Sequence, residues 1–228
     1  MFMKGKYLIV ITVLFVNAFC SNRIEQPCCD DISMYFPLFT HEFSLYEKYS
    51  KQYNTDGSII FDTSYVKIIT GIPYMDNEGN NSFPLYYYSK PKDLPSWLEE
   101  KTIAVKIVNG IVMINDNTKQ LVALSIPLVN ENTWDVNVFN TDDPDEYKII
   151  NKGESYLDFS NTLTILQEDN QDFFLQLDQR KEIYAQSIGL VFQEKKIINY
   201  CTENNCFGQQ IIDSGYEEMM VLIERGKE

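Results

Sequence analysis

Thr102-Ile-Ala-Val-Lys-Ile-Val108, then Asn109-Gly110, then Ile111-Val-Met-Ile114 is the stretch that decides the fold class. Two runs rich in β-branched residues flank a pair that tolerates positive φ at both positions, which favours a type I′ turn and so a tight antiparallel hairpin. Asp116-Asn117 then turns the chain into Gln120-Leu-Val-Ala-Leu-Ser-Ile-Pro-Leu128, which reads as the next antiparallel strand of a meander.

Working outward, the same chemistry recurs. Ser64-Tyr-Val-Lys-Ile-Ile-Thr70 and Leu85-Tyr-Tyr-Tyr-Ser89 are short strand-like runs bounded by turn residues. Upstream, Phe43 to Tyr53 predicts a first strand with Phe43, Leu45, Tyr49 and Tyr53 on one face. Downstream follow Val136 to Phe139, the acidic loop Asp142-Asp-Pro-Asp-Glu146, Tyr147-Lys-Ile-Ile150, and an alternating run from Tyr156 to Leu166. Three more strands are expected at Glu182 to Gln193, Lys195 to Tyr200 and Tyr216 to Glu224. Helical spacing occurs at Asn170 to Arg180, where Phe173, Phe174 and Leu177 fall on one side. Antiparallel strands at short intervals with few helices predict a mainly β fold, an antiparallel curved sheet or open half-barrel.

The N-terminus carries a different pattern. Lys4 and Lys6 precede the apolar run Tyr7 to Val16, which leads through Asn17-Ala18-Phe19 to Cys20. A basic n-region and a short apolar h-region read as a signal peptide over residues 1–19, too short to span a bilayer. A thiol placed there is the acceptor for lipidation. The rival reading puts Val16 and Ala18 at ordinary cleavage positions and releases a soluble chain from Phe19. Cysteine parity bears on the choice: with Cys20 used as a lipid carrier, Cys28, Cys29, Cys201 and Cys206 remain as an even set able to pair in an oxidising compartment. Residues 20–31 lack periodicity and read as a flexible tether, and 32–228 as a single β-rich domain beginning at Ile32-Ser-Met-Tyr-Phe-Pro-Leu38.

The formal charge is −14, and loss of Lys4 and Lys6 makes the mature chain more acidic still, so phosphate backbones are repelled and nucleic acid is excluded as a partner. After residue 19 no apolar run reaches membrane-spanning length, and the expected membrane contact is through N-terminal acyl chains.

Glu182-Ile-Tyr-Ala-Gln-Ser-Ile-Gly-Leu-Val191, followed by a charged turn and Lys195-Lys-Ile-Ile-Asn-Tyr200, resembles the recurring Tyr-Ala-x-Gly-Ile-Gly-Leu-Val segment of uncharacterised lipoproteins of Bacteroidetes-type bacteria. Tyr35-Phe-Pro-Leu38 stands where those proteins have an early Tyr-Phe-Pro-Leu before the first strand. The resemblance implies a half-barrel of antiparallel strands similar to periplasmic lipoprotein carriers, located at the outer membrane, with no established activity. Ser187 departs from the pattern, which has glycine there, while Gly189 is kept.

Catalytic equipment is sparse. The single histidine, His41, has no nucleophile motif beside it and reads as a surface residue. Asp76-Asn-Glu78 and the 142–146 loop could offer oxygen ligands to calcium, yet neither has the spacing of an EF-hand loop, and both read as hydrated turns. No cofactor motif occurs. Cys201-Thr-Glu-Asn-Asn-Cys206 reads as a local disulfide staple; Cys28 and Cys29 could pair with each other under strain, across to 201 and 206, or with another chain. Tyr86, Tyr88 and Trp97 form a candidate ligand surface, weighed against plain core packing.

These readings lead to a non-enzymatic envelope lipoprotein that binds an apolar ligand in its concavity or a protein partner at its rim. The alternatives are a structural accessory subunit of an outer-membrane assembly, and a carboxylate-based hydrolase.

Overall fold

The computed structural model describes residues 31–116 and 119–228. The leader 1–19, Cys20, the tether up to residue 30 with Cys28 and Cys29, and Asn117 lie outside the described residues.

Among the described residues the chain is one antiparallel sheet of thirteen strands with no α-helix. Its strands are β1 (Glu42–Tyr53), β2 (Ile59–Thr70), β3 (Tyr74–Met75), β4 (Asn81–Pro91), β5 (Leu98–Val108), β6 (Ile111–Asp116), β7 (Lys119–Ser125), β8 (Thr133–Asp135), β9 (Glu146–Lys152), β10 (Thr162–Asp172), β11 (Gln176–Ala185), β12 (Gly189–Tyr200) and β13 (Ile212–Lys227). The spatial order is β7-β6-β5-β4-β2-β1-β13-β12-β11-β10-β9-β8, with β3 attached to β4. The first and last strands thus pair in the middle of the sheet, Tyr49 facing Met219 and Phe43 facing Gly226.

The predicted hairpin is present. Val108 pairs with Ile111, and Asn109 and Gly110 turn at φ 52° and 77°. The curved antiparallel sheet is also present, and it curls further than a half-barrel. Its two end strands meet where the Val122 N–H of β7 donates to the Val136 carbonyl just past β8 at 3.0 Å, and the Trp134 indole donates to the Val122 carbonyl at 2.9 Å. Bulges supply the curvature: single residues are inserted at Gln167 in β10, Glu100 in β5, Ala123 in β7, Val191 in β12 and Ile223 in β13.

One end of this near-closed barrel is plugged. Asp31 caps a single 3-10 turn, Ile32–Met34, by accepting from the Ser33 N–H at 3.0 Å. The turn buries Ile32 and Tyr35 against Leu85, Ile103, Leu163 and Ile165 inside the barrel, with Phe36 and Leu38 packed on the same cluster. The Ser187 N–H donates to the Met34 carbonyl at 2.6 Å, which pins the plug to the β11–β12 turn.

Several elements differ from expectation. Asn170 to Arg180 is not helical: β10 runs to Asp172, a turn carries Phe173 and Phe174, and β11 starts at Gln176, because cross-strand pairing overrides a short local spacing. The expected strand 182–193 is two strands joined by a turn at Gln186–Ile188. Ser187 sits there at φ 64° and Gly189 at 97°, left-handed positions where glycine would be unstrained. The supposed charged turn between Val191 and Lys195 lies inside β12. Tyr156 to Asn161 is a tight turn before β10, with Leu157 and Asn161 at positive φ. The strand after the hairpin stops at Ser125, ahead of a cis Ile126–Pro127 bond. Val138 and Phe139 follow β8 as exposed turn residues.

The expected shared face of β1 is present, and it is the outer one. Ser44, Tyr46 and Lys48 point inward, and Phe43, Leu45 and Tyr49 alternate to the outside. Tyr53 is buried, but in an outer cluster with Leu177 and Ile198.

Candidate functional site

The barrel interior holds a cavity of about 860 Å³, a size suited to a small organic ligand. Its floor is apolar: Phe36, Pro37 and Leu38 of the plug, with Ile68, Leu85, Ile103 and Leu190 from the wall. The plug lies over Gly189, where an added Cβ would stand 3.4 Å from Pro37 Cδ, in ordinary contact. Phe36 also packs on Tyr184, ring centroids 5.9 Å apart.

Above the floor runs a belt of tyrosines. Tyr46 (β1), Tyr87 (β4), Tyr147 (β9) and Tyr184 (β11) all line the cavity. Strand alternation sends Tyr87 inward while its neighbours go out. The Tyr46 hydroxyl donates to the Leu190 carbonyl at 3.0 Å, and that of Tyr184 to the Glu182 carboxylate at 2.6 Å. Burial raises the pKa of all four phenols, and the negative charge of Glu182 adds to the shift of each. Glu182 itself faces Gln193 across the β11–β12 ladder and accepts from its amide at 2.6 Å.

The mouth is charged and largely self-paired. Lys48 meets Glu218 at 2.6 Å, and Lys101 meets Asp116 at 2.9 Å. Arg180 is held by Asp178 at 2.9 Å, with Asp145 and Glu168 at 3.7 and 3.8 Å. Ser89 hydrogen-bonds Glu100. The β5 bulge brings consecutive residues Glu100 and Lys101 to the same wall, and Gln167, the extra residue of β10, also lines the cavity. Two lining groups, Lys195 and Asp62, have no ion-pair partner within 4.0 Å among the described residues.

Around the mouth the outer surface turns apolar. Four neighbouring hairpin ends expose Ile60 and Phe61, Leu94 and Leu98, Phe174 and Leu175, and Phe207 and Ile211; Phe61 is the most open at 73%. Phe174 and Phe207 stack on one another across two of these ends, 5.8 Å between centroids.

No family profile and no curated protein matches the chain. Among solved structures, it is similar to a protein of Bacteroides fragilis provisionally described as exported and as having a YmcC-like fold. The identity is 11%, covering 85% of this chain and 99% of that one, with a TM-score of 0.48.

Of the residues singled out in the sequence, Tyr86, Tyr88 and Trp97 are not part of the cavity wall. Trp97 stands on the outside under the Lys90 ammonium, which lies 5.1 Å from its ring and 5.2 Å from that of Tyr65. Asp76 and Glu78 hold the buried Lys106 ammonium at 2.8 and 2.5 Å, so a lysine occupies the place a cation would take. Hydrogen bonds from Lys106 and from the Asn80 N–H bring the Asp76 pKa down to about 2. In the 142–146 loop, Asp142 pairs with Lys119 at 2.6 Å and Asp145 turns to Arg180. His41 precedes β1 at φ 62°, exposed, its N–H bonded to the Thr70 carbonyl at 2.8 Å. Cys201 and Cys206 are joined in the β12–β13 loop, Cα atoms 5.8 Å apart. Sequence reasoning missed Glu182, Gln193 and the tyrosine belt. The one available signal was the triple tyrosine 86–88, in which the middle ring proved to be the inward one.

Proposed function

We propose that the chain is a non-enzymatic envelope lipoprotein, acylated at Cys20, whose domain 32–228 carries a small amphiphilic ligand inside its barrel. The observation that supports this is the cavity: a plugged apolar floor, a belt of aromatic side chains with polar tips, and a charged open mouth. An apolar tail settles against the floor by the hydrophobic effect, and a polar head lies among the hydroxyls and carboxylate of the belt. The hydrolase alternative gains no support from the carboxylates. Those with lowered pKa are Glu47, Asp56, Asp76 and Asp169, none of which lines the cavity.

Displacement of an environment-sensitive apolar dye by single-chain surfactants tests the carrier reading; the expected result is saturable 1:1 displacement, and absence of displacement refutes it. Intact mass of the mature protein from its host tests the anchor: an acyl increment on Cys20 is expected, and an unmodified N-terminus at Phe19 overturns it.

The apolar hairpin ends favour a second reading, a protein partner of the envelope seated on the mouth. Phe61→Asp with Phe174→Asp then abolishes co-purification of that partner from detergent extracts while leaving dye displacement intact.

A further inference from the structure

We propose that the ligand of this cavity carries a cationic head, a primary amine or a quaternary ammonium, seated against Glu182. The inference rests on the carrier reading above and names the chemistry of its head-group subsite.

Glu182 is half-buried in the cavity wall, and its two hydrogen-bond partners, the Tyr184 hydroxyl and the Gln193 amide, are both neutral. A carboxylate taken out of water is normally compensated by a cation. Here no Lys or Arg of the described residues lies within 4.0 Å of it. The cations that share the cavity are otherwise engaged: Lys48 with Glu218, Lys101 with Asp116, Arg180 with Asp178. Lys195 sits one row nearer the mouth, in register with Arg180 rather than with Glu182. The negative charge is therefore left facing the cavity.

The surroundings fit a cation as well as the charge does. Tyr46, Tyr87, Tyr147 and Tyr184 line the same cavity as the carboxylate. Aromatic faces attract ammonium groups through the ring quadrupole, and the attraction grows as water is excluded. The Glu182 charge reaches all four rings and pushes each phenol further up, with Arg225 at Tyr46 and Arg180 at Tyr147 acting against it. An anionic head would meet this field as repulsion. A neutral polyol would leave the charge uncompensated.

The test uses the full mature chain and three surfactants of equal tail below their micellar concentrations: dodecyltrimethylammonium, dodecyl maltoside and dodecyl sulfate. Calorimetry and native mass spectrometry give affinity and stoichiometry. The expected order is trimethylammonium tightest and sulfate weakest. Glu182→Gln lowers the trimethylammonium affinity by roughly tenfold or more and leaves maltoside unchanged. Glu203→Gln in the exposed β12–β13 loop makes the same change in net charge and leaves both unchanged; circular dichroism verifies that each variant is folded. Equal affinities for the three heads, or equal effects of the Glu182 and Glu203 variants, overturn the cationic head while the carrier reading stands. Failure of all three to bind at 1:1 overturns both.

Discussion

Ile32→Ala tests whether residues 32–38 are a docked floor. Ile32 is 5% exposed and packs in the main cluster with Tyr35, Leu85, Ile103 and Leu163. Truncating a buried isoleucine to alanine costs about 2–5 kcal/mol in a well-packed core. The plug is a single 3-10 turn held by few backbone bonds and can partly relax, which puts the expected loss in the lower half, about 2–3 kcal/mol. For a domain of this size each kcal/mol moves the midpoint by about 2–4 °C, so Ile32→Ala should melt roughly 4–12 °C below the parent. Phe39→Ala is the control: Phe39 follows the plug directly but is 55% exposed, and its loss should stay within about 0.5 kcal/mol. Thermal unfolding followed by circular dichroism at pH 7 reads both. If Ile32→Ala melts within a degree of the parent, the segment is not docked on the barrel and the cavity has two mouths. With the floor loosened, the apolar dye should also leave faster from Ile32→Ala than from Phe39→Ala.

Gly215→Ala should destabilise β13 more than Gly57→Ala destabilises its turn. Both residues have positive φ, but a Cβ at 215 meets the Ile197 carbonyl oxygen at 2.3 Å while one at 57 meets nothing within 4 Å, so the excess should be about 1–3 kcal/mol of overpacking in denaturant unfolding; equal losses would deny the close approach. The Asp76 carboxyl should titrate by NMR with a midpoint near 2, and rise towards the ordinary range near 3.9 without reaching it in Lys106→Met, where the Asn80 and Glu78 N–H bonds remain. Because its folded pKa is depressed, its contribution to stability is present above the unfolded value and fades as pH falls towards 2; an unchanged midpoint in the variant would remove Lys106 as the cause. The raised phenols act at the other end of the scale. Tyr46, Tyr87, Tyr147 and Tyr184 stay neutral in the fold while their unfolded counterparts ionise near pH 10, so their contribution is whole below that pH and falls above it. Tyrosinate absorbance should show them ionising only together with loss of the near-ultraviolet dichroism, and ionisation ahead of that loss would mean that they are not buried.

The hairpin at Asn109-Gly110 was legible because a two-residue turn writes its geometry into adjacent residues. The β11–β12 turn was not. Ser187 occupies a left-handed position without being glycine, held there by its N–H bond to Met34, a residue far away in sequence. Such a turn carries no local mark. The 170–180 stretch failed for a related reason: three apolar residues at helical spacing also suit a hairpin end that exposes Phe173 and Phe174 and buries Leu177 on the outer face.

That the apolar face of β1 is its outer one has a more general cause, and it explains why the site was invisible as well. Alternation shows that a strand has two different faces, and hydrophobicity is then used to decide which is inside. That second step assumes a dry interior. In this barrel the upper interior opens on a cavity, so Ser44 and Lys48 face inward beside Tyr46, while Phe43 and Leu45 pack outside, where Lys67 lies over the Phe43 ring at 4.8 Å. Wherever the interior is wet, the apolar face no longer identifies it. The residues around Glu182 come from β1, β4, β9, β11 and β12, with 144 positions between the hydrogen-bonded Tyr46 and Leu190. No spacing rule can assemble them. A signal does survive in pairs rather than in runs: inward Lys48 and Glu218 find each other across a ladder, whereas Glu182 faces Gln193 and Ile165 on its two sides. A carboxylate whose ladder neighbours are both uncharged, on a strand where Arg180 and Asp178 pair with each other, is the pattern on which the proposed cationic head rests.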